Sequence, residues 1–309
     1  MKKNLLAFLG FVLLATPLVA TADQFGDFYY SSDGAKITIT NYTGAGGAVV
    51  IPDTIAALPV ASIGNGAFID CTNLTSVTIP VSVTNIGDDA FRNCGLTNVT
   101  IPASVTTIGE LAFWSDSLTV ITVDSANVSY SSADGVLFNK SQTTLIQYPG
   151  GKIGSYTIPA SVTRIEGWAF YGSWQLTSVT VPGGVTNIGD GAFGTCTSLA
   201  GVYFTGNAPS IGSDVFSGTD NTTVYYLPGT TGWGETFAGR PTALWIIIGP
   251  VIQANGSTND ISINSGSTLS ITVRLYPGNY AGVAVDWWIV AQAGSSWYYL
   301  NDSMRWTSF

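Results

Sequence analysis

A unit that returns every 22 or 23 residues restricts this chain more than any other feature. Leu74-Thr75-Ser76-Val77-Thr78-Ile79-Pro80 comes back as Leu96-Thr97-Asn98-Val99-Thr100-Ile101-Pro102 and again as Leu176-Thr177-Ser178-Val179-Thr180-Val181-Pro182. A second block follows each one, as in Ile86-Gly87-Asp88-Asp89-Ala90-Phe91. It recurs at 63–68, 108–113, 165–170 and 188–193 and, degraded, at 211–216. Its Phe residues are spaced by 23, 22, 57, 23 and 23. A unit this short cannot bury its own apolar side, but stacked copies bury a continuous core, so the pattern predicts a solenoid. Leu-x-x-Val-x-Ile sends three apolar side chains inward, and the proline closes the strand. The fold class is therefore mainly β, with little helix. Phe68, Phe91, Phe113, Phe170, Phe193 and Phe216 are expected in one buried row.

Composition removes whole classes of function. Only 9% of the 309 residues are charged, against about 25% in ordinary soluble domains. Helical bundles and coiled coils need Glu, Lys and Arg on their wet faces, so both are excluded. There is no histidine, which excludes a Ser–His–Asp triad, a Cys–His dyad, His-ligated zinc and haem. A formal charge of −9 offers no basic surface to nucleic acid. No glycine-rich phosphate loop leads from strand to helix, and no carboxylate pair stands out. The chain is read as non-enzymatic, with no catalytic residues, cofactor or metal.

Two repeated polar positions carry alternatives. Asp88, Glu110 and Asp190 follow Ile-Gly, near the first turn of a short helical segment where a carboxylate accepts orphan N–H groups. The sharper alternative is a metal ladder, interrupted by Asn65, Gly167 and Ser213. Cys71, Cys94 and Cys196 each stand three residues after a repeat Phe, at one position beside the core. Cys71 and Cys94 are either buried thiols or, after export, a disulfide; the odd count leaves at least one thiol.

The ends differ from the middle. Lys2 and Lys3, an apolar run from Leu5 to about Ala20, and Ala20-Thr21-Ala22 make residues 1–22 a cleavable signal peptide; the alternative is a membrane anchor, for which the run is short. Cleavage leaves a charge of about −11 and no later span, since Ala243–Ile248 is too short. Residues 23–44 form an N-terminal cap strand region, 45–245 the solenoid, and 250–309 a small all-β, sandwich-like module that is cut short or incomplete at Phe309. Its strands are expected at 269–275, 286–291 and 296–300. Residues 221–245 read as a closing unit whose 223–229 segment supplies one more edge strand.

The unit Leu-Thr-Ser-Val-Thr-Ile-Pro-x-Ser-Val-Thr-x-Ile-Gly-x-x-Ala-Phe-x-x-Cys resembles the BspA-type, or Treponema-type, leucine-rich repeat over roughly residues 45 to 220. The off-period stretch, about 124–152, looks like the inserted hairpin unit of that family. Asp134-Gly135 within it is an independent turn signal. The resemblance implies a secreted or surface-displayed adhesive protein and no catalytic residues.

Binding surfaces remain. The outward hydroxyls Thr75, Thr78, Thr97, Thr100, Thr177 and Thr180 form a ladder on the sheet. They are either a recognition face, simply the β-branched residues that suit an exposed strand, or, remotely, an ice-binding array. Trp114 and Tyr171 each directly follow a repeat Phe, and Trp168 and Trp174 flank the latter. These aromatics either stack on sugar rings or pack against the insert. The expected partner is an extracellular protein or glycan, with no nucleic acid. The alternative function is a carbohydrate-binding accessory or matrix protein using the Trp-rich C-terminal module.

Overall fold

The computed structural model describes residues 23–115 and 117–245, and beyond them five short strands. Residues 1–22, read above as a signal peptide, lie outside the described residues. The chain divides into two compact units, Met1–Leu244 and Trp245–Phe309. Among the described residues all regular structure is strand.

The first unit opens with an antiparallel meander of Asp23–Phe25, Phe28–Ser32 and Ile37–Tyr42, and the last of these pairs parallel with Leu58–Ile63. Residues 23–44 thus cap the open end of the solenoid, where core and strand edges would otherwise face water. From there each regular coil gives one strand to each of two parallel arrays. One array takes the Leu-Thr-Ser-Val-Thr segments, and the other the two-residue strands that end on the Ile of Ile-Gly or, once, of Ile-Glu, such as Asn85–Ile86, Arg164–Ile165 and Asn187–Ile188.

The spacing Leu-x-x-Val has a geometric cause. Leu74 pairs with Gly47 but Ser76 with Ala48, which leaves Thr75 as an extra residue. Thr177 is extra in the same way between Leu176 and Ser178. Each is a bulge that resets the inward alternation. The first array is not continuous. It falls into Gly47–Val50 with Leu74–Thr78, then Asn98–Ile101 with Val120–Val123, then a larger sheet that begins at Gly154–Thr157. The first gap coincides with the coil in which one residue, not two, separates Cys94 from Leu96. In the larger sheet Thr223–Tyr226 is an interior strand, not the expected edge, because Arg240–Leu244 pairs beyond it in parallel.

The insert is real and does more than decorate. Tyr130–Ala133 and Val136–Asn139 form an antiparallel hairpin around Asp134-Gly135, both with positive φ. Thr144–Gln147 then pairs antiparallel with the hairpin and parallel with Arg164–Ile165. The six repeat phenylalanines are at most 1% exposed, but they form two runs rather than one row. Phe68, Phe91 and Phe113 stack at 4.9 and 5.5 Å, and Phe170, Phe193 and Phe216 at 4.8 and 5.3 Å. The insert separates them, and Tyr148 begins the second run by stacking on Phe170 at 5.1 Å. The core accordingly forms two clusters.

The segment after Ile-Gly is a turn, not the expected short helix. Gly66, Asp89, Leu111, Trp168, Gly191 and Asp214, all at one repeat position, have φ between 53° and 62°. A left-handed residue at that point cannot continue a right-handed helix.

In the second unit Val251–Ala254 pairs antiparallel with Ile271–Arg274, and Val290–Ala293, Ser296–Leu300 and Trp306–Ser308 form an antiparallel meander. Trp287, Trp288 and any sandwich packing lie outside the described residues.

Candidate interaction surfaces

Hydroxyl groups on this solenoid divide into two sets. Thr84, Thr106, Thr163, Thr186 and Ser210 each donate to a main-chain carbonyl of the adjacent coil, at 2.9–3.4 Å. They hold coil to coil. Among the described residues the hydroxyls of Thr75, Thr78, Thr100, Thr177 and Thr180 make no hydrogen bond, and Thr97 only accepts a long one from Asn98 at 3.3 Å. Thr75, Thr78, Thr97, Thr100 and Thr177 are exposed, while Thr180 is half-buried. The ladder reading needs correction. The pairs 75/78, 97/100 and 177/180 sit on three separate sheets, so their hydroxyls do not run as one unbroken row.

Thr180 is covered because the face changes character toward the C-terminus. It lies opposite Tyr203, which lies opposite Tyr225. The two tyrosine rings stack at 4.7 Å with 8° between planes. Gly201 accommodates Tyr203, since a Cβ there would come within 2.8 Å of the ring. Sequence reasoning missed this pair. The available signal was the 22-residue spacing of Tyr203 and Tyr225.

Trp114 and Tyr171 are brought together, with ring centroids 5.8 Å apart. In the regular coils an N–H two residues after Phe donates to the next coil, as from Asn93 to Trp114 O and from Thr195 to Ser217 O. Across the insert the Trp114 indole Nε1–H donates to Tyr171 O at 2.7 Å instead. Arg92 lies over the Trp114 ring at 5.3 Å. The pair bridges the interrupted stack, which supports the packing alternative over a sugar platform. Trp168 meets Tyr171 edge-on at 5.2 Å, and Trp174 is 47% exposed.

Of the three repeated acids, Asp88 and Asp190 accept main-chain donors, but from the neighbouring coil, and Glu110 accepts none among the described residues. Asn65 Oδ1 accepts Asp88 N–H at 3.1 Å, Asp88 Oδ1 accepts Glu110 N–H at 2.9 Å, and Asp190 Oδ1 accepts Ser213 N–H at 2.6 Å. The repeated cysteine also has a partner. Cys94 Sγ donates to Phe68 O and Cys196 Sγ to Phe170 O, each at 3.0 Å, and Thr219 Oγ1 donates likewise to Phe193 O. All three cysteines are free, and Cys71 is half-buried rather than buried. Burial pushes the Cys94 and Cys196 thiols up to about 12, so neither supplies a thiolate nucleophile at neutral pH.

The family model for the BspA type leucine rich repeat region matches in six copies, over residues 49–156 and 150–237. Among solved structures the chain is similar to a leucine-rich repeat protein from Eubacterium ventriosum, at 24% identity over 68% of this chain and 72% of that one, with TM-score 0.46. It is also similar to a leucine rich cell surface protein from Faecalibacterium prausnitzii, at 23% identity over 68% and 90% of the two chains, with TM-score 0.42. The pneumococcal vaccine antigen PcpA matches at 17% identity over 67% and 81%, with TM-score 0.43. No curated protein matches the chain.

Proposed function

Because this chain belongs to the BspA-type leucine-rich repeat family, we propose that it is a non-catalytic interaction protein, exported or displayed at the cell surface, whose solenoid face holds an extracellular protein or glycan. The observation that carries this reading is the division of the hydroxyls. Those beside the short strands hold coil to coil, while on the Leu-Thr-Ser-Val-Thr face Thr75, Thr78, Thr100, Thr177 and Thr180 meet no protein partner among the described residues; Thr119 on that face is the exception, donating to Thr97 O at 3.0 Å. A solenoid's outward residues are dispensable for its core, so such a face is available for recognition. Export rests on Lys2, Lys3 and the apolar run that follows, and display on the family's membership among bacterial surface proteins.

Threonine and serine supply few strong anchors, so affinity at each coil is expected to be modest. A repeating partner would gain by avidity. The test is capture of extracellular matrix proteins and glycans by the full chain, against a variant with Thr78, Thr100 and Thr177 changed to Lys. All three sites are exposed, so the fold should survive. Capture lost in the variant supports the sheet face. Capture that is unchanged removes it.

A further inference from the structure

The interrupted coil leaves an opening of about 260 Å³ between residues 108–111 and 166–168, floored by Tyr130, Ile146 and Gln147 of the insert. We infer that this opening is a carbohydrate site that takes one pyranose ring. It is separate from the threonine-bearing strands, so the inference does not rest on the sheet-face reading.

The polar inventory follows from the register of the other coils. At Gly66, Asp89, Trp168 and Gly191 the N–H of the left-handed residue donates to the carbonyl one coil on, as from Asp89 to Glu110 O and from Trp168 to Asp190 O; Asp214, in the last of these turns, makes no such bond. Leu111 occupies that position beside the opening, and its N–H has no coil to reach. The matching acceptor would be Gly167 O, which also lacks a protein donor. The side-chain relay stops here too. Asn65, Asp88 and Asp190 each cap an N–H of the next coil, but Glu110 caps none, and the N–H of Gly167 makes no protein hydrogen bond.

Gln147 is the independent observation. It is only 7% exposed, it lines the opening, and its carboxamide makes no hydrogen bond to the protein. The amide opens onto the cavity, so water serves it while the opening is empty, and whatever fills the opening must replace that partner. Of the two acids at the rim, Glu166 is gripped by Arg164 at 3.0 and 3.2 Å, and Glu110 has no ion-pair partner among the described residues. Trp168 forms one wall. Gly191, with φ of 57°, leaves room for its ring.

These groups select among ligands. The volume is small beside the roughly 300–1,000 Å³ of drug-sized pockets, so a single ring or side chain fills it. An anion is opposed by the unpaired carboxylate of Glu110. A cationic side chain satisfies that carboxylate but leaves the N–H groups of Leu111 and Gly167 unpaired. An apolar side chain strands Gln147. A pyranose matches the set, because its hydroxyls both donate and accept and its C–H face lies flat on an indole.

Saturation-transfer NMR on the full chain tests this, with glucose, galactose, mannose and N-acetylglucosamine as probes and N-acetyl-lysine amide as the cationic comparison. At least one pyranose is expected to receive transfer, with Kd on the order of 1 mM. Gln147→Leu and Trp168→Ala should each weaken it at least about tenfold. Glu110→Lys, at an exposed position, should do the same without disturbing the fold, and it stands in if either buried variant melts early. Transfer to no pyranose, transfer untouched by Glu110→Lys, or transfer to the lysine amide alone would each overturn the assignment. Loss of capture in the Thr78, Thr100 and Thr177 variant with sugar transfer intact would separate the two sites.

Discussion

At the scale of single residues, each coil depends on a few positions that do one job. The phenylalanine fills the core, the left-handed residue turns the chain, and the cysteine caps a carbonyl. Phe91 touches rings on both sides, so Phe91→Ala is expected to cost about 3–5 kcal/mol in a denaturant titration. Gly191→Ala should also destabilise. It places a Cβ where φ is positive and where the Trp168 ring already lies. Cys94 and Cys196 should resist alkylation in the native state while Cys71 reacts first, read by mass spectrometry. The same burial makes a pH prediction. Cys94 and Cys196 rise from 9.0 to about 12, and Tyr148 from 10.0 to about 12. The fold prefers the protonated forms, so the unfolded chain loses its protons first as pH rises. Their contribution is whole below about pH 9 and is lost between there and about pH 12. Melting temperature measured against pH should fall over that window.

At the scale of elements, the repeat was legible because its physics is local. A Leu-x-x-Val-x-Ile strand, a proline stop and an Ala-Phe turn can be read from residue types and spacing alone. The Asp134-Gly135 hairpin was legible for the same reason, since both residues take positive φ. What the sequence hid depends on contacts between coils. Nothing in the composition of Asp88 says that its carboxylate reaches the N–H of Glu110 rather than its own turn. The stacking of Tyr148 on Phe170 was obscured because Tyr148 lacks the preceding Ala of the other turns. Five of the six threonine candidates are exposed and Thr180 is half-buried, and their row is split both at the coil shortened before Leu96 and at the insert, in a way that strand alternation does not reveal. Trp114 shows the same limit. Its indole bridges the insert to Tyr171 O, so Trp114→Phe should keep the ring packing and lose about 1 kcal/mol with the hydrogen bond. No loss in that variant would mean that the bridge contributes nothing to holding the two halves together.

At the scale of the whole molecule, the first unit is a stack of like coils interrupted by one long insert, and its function follows from what stacking leaves unused. Two core clusters, two aromatic runs and two halves of the short-strand array all divide at the same insert. With three free thiols, reductant should move the melting temperature by no more than about a degree; a drop equivalent to about 3 kcal/mol would instead show a bridge between Cys71 and Cys94. The division itself is open to a direct reading by amide hydrogen exchange resolved to single residues. The N–H groups of Gly66, Asp89, Trp168 and Gly191 donate to the next coil and should be protected. Leu111, their equivalent beside the opening, should exchange fastest of the five. If Leu111 is as protected as Asp89, the coils stack without interruption there, and the account of two half-cores with an opening between them is wrong.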